Sequence, residues 1–261
     1  VLNRLDRSRG SSQRRPPRGS SQRRPSSGRD DWEQQPVRRS GSDDPMRQKW
    51  DALLPHLLKI DGDSAIHIKR LQHYAQLLSE WNRSSSNLIS RADMPRLVEH
   101  HILESIEPAH WLASSGARHW LDFGSGGGLP ALPLIIVGIG EKWTLVESRR
   151  NKTLFLRRVV QELGLTNTTV VCDRLENLAG DDGLAGSVEG FTSRATLVLG
   201  PTLVLAERFV QPGGAAFLWK GSRREEEMAA DPRWKAFWDL DGLLGLSGSP
   251  TVVARFKRIS I

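Results

Sequence analysis

Apolar positions recur at helical spacing between Met46 and Leu58, where Trp50, Leu53, Leu54, Leu57 and Leu58 predict a first helix. Asp61-Gly62-Asp63 breaks that run, and Ser64 is expected to cap a second helix carrying Ile68, Leu71, Tyr74, Ala75, Leu78 and Trp81. After a polar turn at Asn82–Ser86, a third helix is expected from Asp93 through Ile106. The pattern then changes to short apolar runs that alternate with helical ones. Strands are predicted at His119–Phe123, Trp143–Val146, Thr168–Cys172, Gly190–Ser193, Ala215–Trp219 (after the turn Pro212-Gly213-Gly214) and Thr251–Arg258. Helices are predicted at Pro130–Gly138, Asn151–Leu163, Pro201–Phe209 and Arg223–Trp238. This alternation predicts an α/β fold with a mostly parallel sheet, helices on both faces and an N-terminal helical extension. Two unrelated small domains would fit the uninterrupted alternation less well.

Residues 1–44 break from this pattern altogether. They hold eleven Arg against six Asp or Glu, with much Ser, Pro and Gly, and too little apolar surface to offset the entropy of ordering. Gly10–Arg18 (GSSQRRPPR) and Gly19–Ser27 (GSSQRRPSS) form an imperfect repeat, low-complexity sequence and not a solenoid. The expected division is therefore a disordered tail over 1–44, a helical subdomain over 45–115 and a ligand-binding α/β domain over 116–261. The tail supplies +5 of the net charge of +7, so the high pI says little about the folded body. An Arg-rich tail would add affinity for nucleic-acid phosphates without sequence preference, and an incidental extension would look the same.

A single cysteine, Cys172, excludes an intrachain disulfide framework and a multi-cysteine zinc site, and is expected to be a small buried hydrophobe. The first residues are polar, unlike a secretory leader, and the longest apolar stretch, Leu129–Ile139, is too short to span a bilayer. A cytoplasmic protein without membrane association is the expectation.

The candidate chemistry gathers where the predicted strands end. WLDFGSGGGLP puts Gly124, Gly126 and Gly128 just after a strand, where glycine lets a ligand approach the backbone, although a plain flexible loop would carry the same residues. The run does not match the strict dinucleotide pattern and lacks the Lys-Ser or Lys-Thr pair of a Walker loop. Glu147, at the end of the second strand, could accept both hydroxyls of a ribose, or could be a solvated surface carboxylate. Asp173-Arg174-Leu175-Glu176 could close over an adenine ring or form a surface ion pair. Arg194 and Lys220 follow later strands, where they could meet a carboxylate or a phosphate, or be ordinary surface cations. His100 and His101 have no Cys partner or H-x-x-x-H spacing, so no metal site is expected. No G-x-S-x-G elbow is present.

Taken in order, LLSEWNRSSSNL (77–88), HILES (101–105), LDFGSGGGLPALPL (121–134), LVESRRNKTLFL (145–156), RLE (174–176), SRA (193–195) and Lys220-Gly221 resemble the bacterial 16S ribosomal RNA guanine-N7 methyltransferase family, also called glucose-inhibited division protein B. The resemblance covers about 45–258 and implies a Rossmann-like class I methyltransferase fold with S-adenosylmethionine as cofactor. It assigns Gly124 and Leu129, with Gly126 and Gly128 in the same loop, to the cofactor. It gives Leu175 and Glu176 to the adenosine end, Glu147 to the ribose and Arg194 to a further cofactor contact. Arg174 and Lys220 are candidates for substrate positioning. The implied substrate is guanosine 527 of 16S ribosomal RNA, free or in the small ribosomal subunit, acted on by a monomer.

Departures from the family pattern are Ala131, where Gly is usual, Glu104 in place of Asp, Asn151 in a usual lysine pair, and VEGFT before Ser193. The guanine N7 lone pair can attack a sulfonium methyl directly, so no catalytic base is nominated. A methyltransferase acting on another RNA or on a small molecule, and a non-catalytic RNA-binding protein, are the competing readings.

Overall fold

The computed structural model describes residues 49–85, 87–180 and 183–260. The expected tail over 1–44 lies outside them, as does the start of the first predicted helix. Ahead of the sheet come helices α1 (Leu54–Leu57) and α2 (Ser64–Ser84), then a 3₁₀ turn (Met94–Arg96), a π-helical stretch (Leu97–Ile102), α3 (Leu103–Ile106) and α4 (Ala109–Ala113). The single helix expected over 93–106 is thus three segments of different pitch.

Asp63, not Ser64, caps α2: its carboxylate accepts from the backbone N–H of Ala65 and Ile66 at 2.8 and 3.4 Å. A carboxylate beats a hydroxyl here because it also opposes the positive end of the helix dipole. α2 runs through the expected turn as far as Ser84, and Leu58, expected on an apolar face, is 77% exposed because the chain leaves α1 at that residue.

The sheet contains β1 (His119–Phe123), β2 (Lys142–Val146), β3 (Thr168–Val171), β4 (Val188–Arg194), β5 (Val210–Lys220), β6 (Trp238–Gly245) and β7 (Val252–Arg258), in the order β3-β2-β1-β4-β5-β7-β6. The first five pair in parallel, and β7 is antiparallel to both β5 and β6. Helices α5 (Ala131–Ile136), α6 (Arg150–Glu162), α7 (Leu199–Ala206) and α8 (Arg224–Ala229) complete the α/β part. It is a Rossmann-like α/β fold with helices preceding a mixed, mostly parallel sheet.

Three further expectations fail. β5 begins at Val210 and runs through Pro212-Gly213-Gly214, which form an irregular stretch of strand and not a turn before one. The helix expected over 223–238 stops at Ala229; Pro232 then opens a 3₁₀ turn (Pro232–Ala236), and Trp238 already belongs to β6, a strand the periodicity did not reveal. Cys172 is exposed, because β3 is one of the sheet's two edge strands and ends just before it.

Alternate residues of the strands feed two cores, as the period of two requires. Trp120, Trp143 and Phe217 pack with Tyr74, Leu78, Ile102 and Phe155 in one, while Leu121, Val146 and Leu218 pack with Leu175, Leu203 and Trp238 in the other. The helices before β1 therefore share a core with the sheet. Trp120 and Trp143 stack at 5.3 Å, and Gly190 lies opposite Trp120 because a Cβ there would meet its ring at 2.4 Å.

Candidate functional site

The sheet order reverses between β1 and β4, so the chains leaving their carboxyl ends part and open a crevice. The glycine segment leaves β1. Gly124, Gly126 and Gly128 all have positive φ, +69°, +54° and +87°. Gly124 is doubly constrained, since a Cβ there would stand 2.2 Å from Thr196 Cγ2, on the segment leaving β4.

Two side chains hold this loop. Tyr74, buried on α2, donates its hydroxyl to the Gly127 carbonyl at 2.7 Å. Glu147, 6% exposed, accepts from the backbone N–H of Gly126 at 3.0 Å and from that of Arg149 at 2.8 Å. A carboxylate offers about four acceptor positions, so both oxygens keep capacity for a ligand. Beneath the loop, Asp122 accepts from the Thr192 hydroxyl at 2.6 Å, and its Oδ2 has no partner among the described residues. Burial raises the Asp122 pKa to about 7.

A cavity of about 210 Å³ lies against the loop, lined by Gly124, Gly126, Leu129, Lys152, Arg194 and His101 among others. It unites four of the residues singled out from sequence: Gly124, Gly126, Leu129 and Arg194. The others stand elsewhere. Gly128 is buried behind the loop, where a Cβ would strike Leu132. Glu147 holds the loop from outside this cavity. Leu175 is fully buried in the second core, and Glu176 lines a separate cavity of about 300 Å³ with Arg208 and Arg233. Arg174 is exposed. Lys220 lines a third cavity, of about 440 Å³, together with Arg223, Leu197 and Val198. Arg194 and Ala195 stand in the walls of both this cavity and the one at the glycine loop.

Arg194 donates to Glu104 Oε2 at 2.5 Å and to His101 Nδ1 at 3.0 Å. Burial lowers its pKa and the Glu104 charge opposes that shift. Ala195, the next residue, has φ +53°, the one non-glycine positive φ among the described residues, a conformation costing about 1 kcal/mol. Lys220, 8% exposed, pairs with Glu227 at 2.8 Å and donates to the Leu197 carbonyl at 2.6 Å.

The sequence does not single out Tyr74 or Thr196 as site residues; Glu104 enters there as a departure from the family pattern, and His101 as a metal candidate and within the HILES segment. Tyr74 is the chain's one tyrosine and sits on the apolar face of a helix, a cue for a buried hydroxyl in need of a partner. Thr196 carries no local cue. No group of three or more side chains able to hold a metal ion occurs among the described residues.

Residues 67–239 match the family model of rRNA small subunit methyltransferase G. A ribosomal RNA small subunit methyltransferase G from Sorangium cellulosum is 41% identical over 169 residues, 64% of this chain and 69% of that protein. The protein of that name from Novosphingobium aromaticivorans is 30% identical over 206 residues, 78% and 86% of the two chains. Among solved structures, a branched-chain polyamine synthase mutein from Thermus thermophilus gives a TM-score of 0.50 at 13% identity over 72% of this chain and 65% of its own, a likeness of fold alone. With the matched segment running from α2 into β6 and enclosing the glycine loop, the crevice and Arg194, the chain belongs to the rRNA small subunit methyltransferase G family.

Proposed function

We propose that this protein transfers the methyl group of S-adenosylmethionine to N7 of guanosine 527 in 16S ribosomal RNA. Its family makes it an S-adenosylmethionine-dependent methyltransferase of small-subunit ribosomal RNA. The observation that carries the reading is the shared wall at Arg194 and Ala195: a glycine-lined cavity and a larger, basic one meet at the end of β4. One holds the methyl donor and the other the acceptor base.

The residues fit the cofactor. The backbone at Gly124 and Gly126 carries no side chain that would fill the crevice, and two buried polar atoms beside it, Asp122 Oδ2 and His101 Nε2, lack partners among the described residues. Gly124, Gly126, Leu129 and Arg194 line its cavity, and Gly128 holds the turn behind it. Glu147 takes the ribose hydroxyls while it braces the loop. Leu175 and Glu176 lie toward the adenosine end, Leu175 by supporting that end from the core. Lys220 and Arg174 serve the RNA, Lys220 from the acceptor cavity and Arg174 from the surface.

When bound, the cofactor supplies a methyl carbon made electrophilic by a sulfonium. The guanine N7 lone pair could take such a methyl directly, without loss of a proton, so the chain would need no general base. Its task is to align acceptor and donor and to keep water out. The guanine must be unpaired or displaced to enter. Exposed Leu197 and Val198 offer it an apolar wall, and Arg223 lies beside them for a phosphate. The helices ahead of β1 shape the pocket through Tyr74 and His101. Among the described residues no helix is long and apolar enough to cross a membrane. The protein acts in the cytoplasm as a monomer.

Labelled S-adenosylmethionine with small subunits lacking the modification tests the assignment. One methyl per particle at N7 of guanosine 527 is expected; incorporation at another base, or into small metabolites alone, would overturn it.

A further inference from the structure

Arginine has N–H donors only, so the 3.0 Å contact from Arg194 Nη2 makes His101 Nδ1 an acceptor. Burial, and after it the Arg194 charge, lowers the His101 pKa to about 4, which leaves the ring neutral near pH 7. A neutral ring with a bare Nδ1 carries its proton on Nε2. That Nε2–H is shut off from solvent and has no partner among the described residues. A buried donor without an acceptor is costly, and such groups call for an explanation.

His101 stands in the wall of the glycine-loop cavity with Lys152 and Arg194. The acid in the same wall, Asp93, is already bonded to Ser90 at 2.6 Å and Arg96 at 2.6 Å. This end of the cavity therefore favours an anionic oxygen over a neutral carbonyl such as guanine O6. S-adenosylmethionine has one anionic group, the carboxylate of its amino-acid end. We propose that His101 Nε2–H donates a hydrogen bond to that carboxylate and so selects ligands that carry the amino-acid end over those that lack it. The inference rests on this cavity being the cofactor site.

Calorimetric titration with S-adenosylhomocysteine and with 5′-methylthioadenosine, which has no amino-acid end, separates the possibilities. His101→Asn keeps an amide oxygen near the Nδ1 position for Arg194 but has no donor reaching as far as Nε2. His101→Gln places an amide N–H at about the reach of Nε2. His101→Asn should weaken S-adenosylhomocysteine about tenfold to hundredfold and leave 5′-methylthioadenosine unchanged, while His101→Gln stays within about threefold of wild type. Equal loss for both ligands, loss for neither, or equal loss in the Asn and Gln variants would overturn the inference. Failure of the wild-type protein to bind S-adenosylhomocysteine would instead remove the cofactor reading of the cavity. Circular dichroism confirms that each variant is folded.

Discussion

The Arg194 guanidinium lies 2.5 Å from the Glu104 carboxylate, although ninety residues of sequence separate them. The other Glu104 oxygen accepts from the Ser249 hydroxyl at 2.6 Å, and its backbone carbonyl accepts from Trp219 Nε1 at 2.8 Å. One residue on α3 thereby joins the end of β4, the end of β5 and the segment before β7. Arg194, in turn, belongs to both cavities, so Glu104 sets the position of their common wall.

Removing that carboxylate should be expensive. Glu104→Ala leaves the Arg194 charge buried without its counterion and should lower unfolding free energy by about 3 kcal/mol, measured by urea denaturation. Glu104→Asp, the residue more usual in the family, is shorter by one methylene and should recover part of the loss. An unchanged midpoint for Glu104→Ala would mean that the pair contributes nothing and that Arg194 is held by His101 alone.

Tyr74→Phe removes the hydroxyl that holds the Gly127 carbonyl and nothing else. A loss of about 1 kcal/mol in stability is expected for one neutral hydrogen bond. Because the same bond fixes the glycine loop, S-adenosylhomocysteine affinity should fall as well. Stability loss with unchanged affinity would show that the loop is positioned by Glu147 without help.

Asp122 makes stability depend on pH in a direction opposite to most carboxylates. Burial raises its folded-state pKa from the usual 3.8 to about 7, so folding favours the protonated form. Its contribution is complete below about pH 4 and is lost as pH rises through about 7. The stability of wild type relative to Asp122→Asn should therefore decline by up to about 4 kcal/mol between pH 4 and pH 8. A constant difference across that range would mean that Asp122 ionises as it does in the unfolded chain.

What could be read from the sequence was local. β1 was bounded correctly because its apolar run is framed by glycines, and β2 and α6 fell within a residue because their periodicity is clean. β6 was hidden: its residues alternate only weakly, with Asp239, Asp241 and Gly242 among the leucines, and it is an edge strand with one face in solvent. The site divided along the same line. Glycine spacing announces a loop, but the pairs Tyr74–Gly127 and Arg194–Glu104 join residues 53 and 90 positions apart, and neither partner carries a mark that points to the other.

Cys172 shows how an apolar neighbourhood misleads. Val170 and Val171 precede it, yet the strand stops at Val171 on the sheet's edge and leaves the thiol exposed. A thiol reagent should label one cysteine per chain in the folded protein at a rate close to that in denaturant. Protection in the native state would restore the buried reading.

Gly124 and Thr196 give the sharpest test of how the crevice is built. At Gly124 a side chain meets two penalties, the left-handed φ of +69° and a Cβ 2.2 Å from Thr196 Cγ2. The first costs about 1 kcal/mol for alanine, and the second forces Thr196, and with it the segment leaving β4, to shift. Thr196→Ser removes Cγ2, after which the nearest Thr196 atom to that Cβ is the retained Cβ at 3.4 Å. Gly124→Ala alone should reduce S-adenosylhomocysteine affinity markedly, Thr196→Ser alone should change it little, and the double variant should recover most of the affinity but not the backbone strain. The two substitutions should thus couple in a double-mutant cycle by more than the roughly 0.5 kcal/mol seen for independent sites. Simple additivity would mean that the loop and the β4 segment do not press on each other, and that glycine is required at 124 for its backbone conformation alone.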